Sequence, residues 1–396
     1  MVCLSILLGL QVLPWPTAAV ILPASSPLVA MGSALAARQI GWITWLALPL
    51  LLLALVKGRW FCRHLCPVGF ILDMLGYFNR RYPRSYKRVP PIGRWLVMLA
   101  AGTAAAGYAW FLWMDPLVLF NGFVGVWRHI PVEWKDLLPA SGFSLVILFT
   151  LWRPHAWCER CCPLGALQEL CGRAGDGVRC FLCKPSKIAE GGADGNGCSV
   201  PAERWPGPIS KRREVLMILA GGMAIWVIRY LRGGDSVLPL RPPGAVDEKY
   251  FSGLCVRCGS CMQACPQRIL IPDLGQSGVG GFLTPVVDYD RNYCDEWCYQ
   301  CTQVCPTGAI RRMTLEEKRD VVMGVARIDR SRCIAWSQQQ YCMVCNEFCP
   351  YQAIRTRENL GVPCPEVNAT LCRGCGACQS NCPAIPHKAI VVYGRR

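Results

Sequence analysis

Sixteen cysteines between Cys255 and Cys382 fall into four copies of one spacing, and nothing else limits the folds open to these 396 residues as strongly. The copies are Cys255, Cys258, Cys261, Cys265 before Pro266; Cys294, Cys298, Cys301, Cys305 before Pro306; Cys333, Cys342, Cys345, Cys349 before Pro350; and Cys372, Cys375, Cys378, Cys382 before Pro383. The first and last read C-x2-C-x2-C-x3-C-P without deviation, while the second widens its first gap to three residues and the third to eight. In this run three close thiolates grip one 4Fe-4S cube and the fourth, turned away by its proline, serves a neighbouring cube. Sixteen cysteines therefore predict four cubes. Zinc has no use for a fourth cysteine followed by proline four times over, and disulfides need no such repetition.

The rest of the chain reads as membrane. Apolar residues make up 53% of the sequence and the mean hydropathy is positive, with apolar segments at Val2 to about Leu22, Ile40 to Val56, Ile92 to Trp113, Leu137 to Trp152 and Val215 to Tyr230. The net charge of +16 does not point to nucleic acid, because two loops, Lys57 to Arg94 and Arg153 to Arg213, account for +12 of it. Basic loops between apolar segments are expected on the cytoplasmic side. The expected fold class is an α-helical membrane domain of about five transmembrane helices plus an α+β ferredoxin-like domain whose four cysteine motifs form two pseudo-symmetric halves. An odd fifth helix places everything after Arg232 outside, which predicts a multi-pass bacterial inner-membrane protein with its C-terminal domain in the periplasm.

An internal repeat fits this layout. Cys62-Arg63-His64-Leu65-Cys66-Pro67-Val68-Gly69 and Cys158-Glu159-Arg160-Cys161-Cys162-Pro163-Leu164-Gly165 share C-x3-C-P-x-G at an offset of 96 residues. Two thiolates are too few for a cube, but helix packing that joins the copies supplies four. A fifth cluster is expected on Cys62, Cys66, Cys158 and Cys162, with Cys161 as a substitute ligand. Cys171, Cys180, Cys183 and Cys198 come next at C-x8-C-x2-C-x14-C without a closing C-P. They are candidates for a sixth cluster or for zinc.

Lys211-Arg212-Arg213 before Val215 to Tyr230 resembles a twin-arginine export signal. Clusters are assembled where thiols stay reduced, so a four-cluster domain has a reason to be exported folded. The expected domains are 1-152, membrane helices with the first C-x3-C-P loop; 153-210, a cytoplasmic cysteine-rich loop; 211-232, the twin-arginine-like transmembrane segment; and 233-396, the periplasmic four-cluster domain.

From Arg212 onward the chain resembles the NapG/MauM-type periplasmic ferredoxins, with their twin arginines, an Arg-Pro-Pro-Gly run at Arg241 to Gly244, four cysteine motifs and a long first gap in the third. The preceding part resembles the NapH-type quinol dehydrogenase membrane component with its two C-x3-C-P motifs, as if two subunits had been fused. The resemblance implies 4Fe-4S clusters as cofactors and quinol as reductant, hence electron transfer from the membrane quinone pool to a periplasmic cytochrome or reductase subunit within a membrane redox complex. It also implies that the first motif pairs with the fourth and the second with the third: Cys382 joins Cys255, Cys258 and Cys261, and Cys349 joins Cys294, Cys298 and Cys301. The chain has no C-x2-C-H haem site and four histidines, none in an apolar span, which excludes a two-haem bundle. Two other readings stay open: an electron-donating maturation factor for a metalloenzyme, and a structural membrane anchor of a redox complex.

Overall fold

The computed structural model describes residues 18–39, 41–78, 89–126, 134–182, 211–231 and 238–394. Its first part is helical: α1 (Ala18–Ser25), α2 (Pro27–Ala37), α3 (Leu48–Lys57), α4 (Trp60–His64), α5 (Pro67–Phe78), α6 (Ile92–Ala105), α7 (Pro116–Val126), α8 (Trp134–Trp152), α9 (Pro163–Leu182) and α10 (Lys211–Leu231). Among the described residues no helix is long and apolar enough to cross a membrane. That finding overturns the expected five-span membrane domain, the multi-pass inner-membrane placement and the two-sided topology built on it.

The physical reason lies in where the helices stop. The segment Ile40 to Val56 is divided into a 3-10 turn at Trp42–Ala47 and the ten-residue α3, about 15 Å of rise against the ~30 Å of a bilayer core. The segment Ile92 to Trp113 breaks after α6, where Gly107 at φ 86° turns the chain into a second 3-10 stretch, Trp110–Met114. In α8 the apolar run is preceded by Lys135 and Asp136 and interrupted by Pro139, and α10 opens on Lys211-Arg212-Arg213-Glu214. Most of the first expected span, residues 2–17, lies outside the described residues, as do residues 79–88 and 183–210.

Small residues let these helices approach closely. A Cβ on Gly102 of α6 would stand 2.2 Å from the Ile218 carbonyl oxygen of α10, and one on Gly221 would stand 2.7 Å from that of Leu99. Buried polar groups fix the ends. Ser26 caps α2 and donates from Oγ to Asp115 Oδ2 at 2.6 Å, while Asp115 Oδ1 accepts from the Leu117 N–H at 2.9 Å, at the start of α7. Asp115 and Ser26 are fully buried.

The second part, 238–394, is built from short helices and three two-stranded antiparallel ladders. The helices are α11 (Glu248–Leu254), α12 (Ser260–Ala264), α13 (Gln300–Gln303), α14 (Leu315–Asp320), α15 (Ile334–Ser337), α16 (Val344–Glu347) and α17 (Ala377–Ser380). Strand β1 (Leu270–Pro272) pairs with β2 (Pro285–Val287), β3 (Gly324–Ile328) with β6 (Ile390–Gly394), and β4 (Ile354–Asn359) with β5 (Val362–Val367). The glycines at 275–281 form the β1–β2 connection, with Asp273 Oδ1 accepting from the Gly275 and Gln276 N–H groups at 2.8 Å; they are turn residues. Cysteines make up much of the core of this part, interleaved with Phe251, Tyr289, Ile310, Ile354 and Ile390. The two parts share apolar core: Val20 and Ala24 pack with the cysteine domain, while Val256 and Cys258 pack with Leu117, Phe120, Cys66 and Cys162.

Candidate functional site

The cysteine loops owe their shape to left-handed backbone on both sides of one residue. In the first motif Arg257 (φ 57°) and Gly259 (φ 74°) flank Cys258; in the fourth Gly374 (φ 72°) and Gly376 (φ 83°) flank Cys375. The same curl therefore aims three sulfurs inward in each. The closing C-P turn is a second shared device. Arg268, Gly308 and Gln352, each three residues after the motif's last cysteine, take positive φ, so the chain folds its N–H groups back onto the sulfur. Cys305 Sγ accepts from Ile310 N–H at 3.4 Å and Cys349 Sγ from Ala353 N–H at 3.3 Å.

Four groups of four cysteines result. A first site is a cavity walled by Cys255, Cys258, Cys261 and Cys305 with Val304 and Ile310. In the second, Cys265 and Cys298 stand in mutual electrostatic contact with Cys294 and Cys301. The third is walled by Cys333, Cys342, Cys345 and Cys382 with Ile334 and Ile390, and the fourth by Cys349, Cys372, Cys375 and Cys378 with Tyr351 and Ile354. The first motif is thus interleaved with the second and the third with the fourth. The pairing implied by the resemblance, first with fourth and second with third, is not what the structure builds. The β1–β2 ladder explains why, since it folds the 28 residues between Cys265 and Cys294 into a return that lands α13 beside α12.

Burial works against the thiolate in all four groups. It pushes the Cys258, Cys294 and Cys345 thiols up to about 12 and Cys375 to about 11, and lifts Cys255, Cys261, Cys265, Cys301 and Cys378 in the same direction. Four sulfurs can lie together as thiolates in such surroundings only around a multivalent cationic centre. Among the described residues, no three His, Cys, Asp or Glu side chains converge as a single ion requires.

The two halves meet at the second and fourth sites. The Cys294 N–H donates to the Cys375 carbonyl oxygen at 2.9 Å. Tyr289, 2% exposed, fills the space behind this bond and donates from its hydroxyl to Gly374 O at 2.7 Å. A Cβ on Gly376 would lie 2.3 Å from the Tyr289 ring. Lys318, 3% exposed, reaches the same place from α14 and donates from Nζ to the carbonyl of Asp295, the residue after Cys294.

The C-x3-C-P copies are matched atom for atom. Cys66 N–H donates to Phe61 O at 3.0 Å and Cys162 N–H to Trp157 O at 2.8 Å, an i to i−5 turn in both. Cys66 and Cys162 then begin α5 and α9, with proline at the first helical position, where its missing N–H costs nothing. The glycine of each motif donates its N–H to the cysteine sulfur, Gly69 to Cys66 at 3.5 Å and Gly165 to Cys162 at 3.4 Å. At the first copy the close approach requires glycine, because a Cβ on Gly69 would sit 2.8 Å from Cys62 O; on Gly165 it would sit 3.3 Å from Cys158 O.

The structure brings Cys62, Cys66, Cys158 and Cys162 into one electrostatic group. Burial raises the Cys66 thiol to about 11 and Cys162 to about 12, and lifts Cys62 and Cys158 likewise. Arg59 opposes this, donating to Cys158 O and lying 3.3 Å from Glu159. Cys161 is buried and raised by desolvation alone, outside the group. Of the Cys171 set, Cys183 and Cys198 lie outside the described residues, and Cys171 and Cys180 both fall on α9. They stand nine residues apart along that helix.

The basic-loop reading puts this group and the four-motif domain on opposite faces of a bilayer; the structure places them side by side. Asn121, alone among apolar neighbours in α7, donates from Nδ2 to Cys258 O at 2.9 Å, and Gln263 Nε2 donates to Asn121 O at 2.8 Å. A polar residue within an apolar run is the signal in the sequence that could have found this contact. Lys318, in the polar stretch Leu315 to Asp320, carries none.

Two domain families match the chain. One, described as a 4Fe-4S binding domain, covers residues 39–85 and 136–179, one C-x3-C-P copy in each block; the other, a 4Fe-4S dicluster domain, covers 254–309, the first two motifs. The chain is similar to the ferredoxin-type protein NapF of Escherichia coli (strain K12), 37% identical over 146 residues, 36% of this chain and 80% of that protein. It is also similar to the ferredoxin-type protein NapG of the same organism, 36% identical over 186 residues, 43% of this chain and 78% of that one. A third relative is the methylamine utilization ferredoxin-type protein MauM of Paracoccus denitrificans, 31% identical over 199 residues, 46% and 84% respectively. No solved structure matches the chain.

Proposed function

We propose, from the premise that this chain belongs to the ferredoxin-type iron-sulfur proteins, that its five cysteine groups form one continuous electron relay. It is an iron-sulfur electron-transfer protein. A 4Fe-4S cube at each group would supply one-electron storage, with no bond made or broken in the transfer. The chain's own residues hold the sulfurs, keep water out and set the order of the groups. That order runs from the Cys62/Cys66/Cys158/Cys162 group through Asn121 to the first site, then to the second, across Cys294 and Cys375 to the fourth, and on to the third, where Cys345 faces Cys378.

The observation that carries this reading is the Cys294 N–H to Cys375 O bond, which makes one chain of two otherwise separate cluster pairs. The two ends are then the places of exchange. Quinol is the reductant we assign to the Cys62 end, and a redox protein of a respiratory chain is the partner we assign to the third site, beside which Tyr341 is 73% and Ile385 90% exposed. Five groups predict about 20 iron atoms per chain after anaerobic purification. Cys158→Ser should lower this to about 16 while leaving the other four groups loaded, and should abolish their reduction by a quinol analogue. An unchanged iron content would remove the fifth group from the relay, and undiminished reduction would remove its place at the entrance.

A further inference from the structure

Lys318 is a buried cation in a place where burial is costly. Its side chain is 3% exposed, and an unpaired ammonium in such surroundings is expensive unless an anion answers it. No carboxylate forms an ion pair with it among the described residues; its Nζ donates to the Asp295 carbonyl. The charge nevertheless acts on Cys294, Cys301 and Cys375, which belong to two different sites on either side of the junction.

The local sequence holds Lys318 there. Thr314 and Glu317 close a reciprocal cap on α14, with Glu317 N–H donating to Thr314 Oγ1 at 3.3 Å and Thr314 N–H to Glu317 Oε2 at 2.7 Å. One residue further on, Lys318 turns inward while Arg319 stacks outward on Trp297, 4.3 Å from its ring centroid. A cap this complete on a six-residue helix fixes the direction of the lysine. The anions that answer it are the two cysteine groups themselves.

From this placement, and resting on the relay reading above, we propose that Lys318 is a positioning residue for electron transfer: its single charge, shared between the second and fourth sites, raises the reduction potential of both and keeps the junction between the halves passable. Adding one electron to either site adds one negative charge beside the ammonium, and a cation stabilises that reduced state at both. Each transfer moves one electron from a reduced to an oxidised site, with no proton or co-reactant involved. Its Nζ sits on the carbonyl of Asp295, the residue after Cys294, whose N–H bonds Cys375 O, so the charge lies at the seam of the second and fourth sites and farther from the first and third.

The test is a potentiometric titration of the loaded protein monitored by electron paramagnetic resonance, with signals assigned to sites by comparison with Cys265→Ser and Cys349→Ser. Lys318→Gln keeps a donor for the Asp295 carbonyl and removes the charge. At a fixed potential the reduced-to-oxidised ratio at the second and fourth sites should fall at least tenfold, about 59 mV for a one-electron couple, while the first and third hold. Lys318→Arg should restore the parental values. Should Lys318→Gln fail to fold, Lys318→Met is the second neutral variant. A shift at one junction site only, an equal shift at all sites, or no shift overturns the proposal. Iron content measured on the same samples separates these outcomes from failure of the relay reading, since a chain that does not load the second and fourth sites refutes both.

Discussion

Replacing Asp115 by asparagine should stabilise the protein, and by an amount that depends on pH. Asp115 is fully buried, and burial holds its carboxyl up to about 6 from an ordinary value of 3.8, against the opposing pull of the Ser26 hydroxyl and the Leu117 and Val118 N–H groups. A raised folded value means that the fold prefers the proton. The stabilising contribution is therefore complete below pH 3.8 and is lost as pH rises through 6. At about 1.36 kcal/mol per unit, the whole effect is about 3 kcal/mol, of which a little over half is gone by pH 5. Asparagine mimics the protonated acid: its amide oxygen still accepts from the Leu117 N–H, and no charge is left behind. Anaerobic denaturant unfolding of Asp115→Asn and the parent at pH 5 and pH 8 should show an advantage for the variant that grows by roughly 1.4 kcal/mol between the two. An advantage of the same size at both pH values, or a loss at pH 8, would refute the argument. Because Asp115 also acts on Cys66 and Cys162, the same change should raise the reduction potential of that group.

The interleaving of motifs makes a prediction that the alternative pairing reverses. Cys305→Ser should disturb the iron held by Cys255, Cys258 and Cys261, and Cys382→Ser that held by Cys333, Cys342 and Cys345; spectra showing that Cys382→Ser alters the first site would restore the first-with-fourth pairing. Gly376→Ala should cost about 2–4 kcal/mol, from a left-handed φ combined with overpacking, since its Cβ would stand 2.3 Å from the Tyr289 ring. Adding Tyr289→Leu to Gly376→Ala should recover part of that loss in the denaturation midpoint, and parental stability in the Gly376→Ala single variant would show that the ring is free to move.

Cysteine spacing makes the ligand groups of the C-terminal half readable, because each C-x2-C-x2-C loop is a local structure whose three sulfurs converge regardless of what surrounds it. Which fourth sulfur joins which trio depends instead on the return path from Cys265 to Cys294 and from Cys349 to Cys372, and that is set by ladders of three to six residues with no strong periodic signature. The C-x3-C-P repeat is readable for the same local reason, since proline, glycine and the i to i−5 turn are fixed by neighbours in sequence. The apolar segments mislead. The run Leu48 to Val56 has no polar face, yet in α3 Ala54 is buried while Leu48, Leu52 and Val56 are exposed, and an apolar run by itself does not fix how long its helix is; the breaks at Trp42–Ala47 and Gly107 that shorten the helices are visible only in the fold.

The two kinds of cysteine motif, different in sequence, reach one physical solution. In each, a cysteine immediately before proline receives a backbone N–H on its sulfur: Gly69 and Gly165 in the helical part, Ile310 and Ala353 in the ladder part. Proline serves in both because its missing N–H leaves the later donors free to point at sulfur, and its fixed φ starts the turn that brings them there. They differ in the structure that the turn enters. After Cys66 and Cys162 the turn continues into α5 and α9, whose far ends pack among other helices, so the two halves of that group must be brought together by tertiary contacts. After Cys305 and Cys349 the turn passes within a few residues into a bridge or a strand, Ala245 against Ile310 and Ile354 in β4, and the sulfur is held by local structure close to its own motif. The group of Cys62, Cys66, Cys158 and Cys162 is for that reason the one whose assembly depends on the whole helical part being folded, and its four sulfurs should lose their common centre first when that part is loosened.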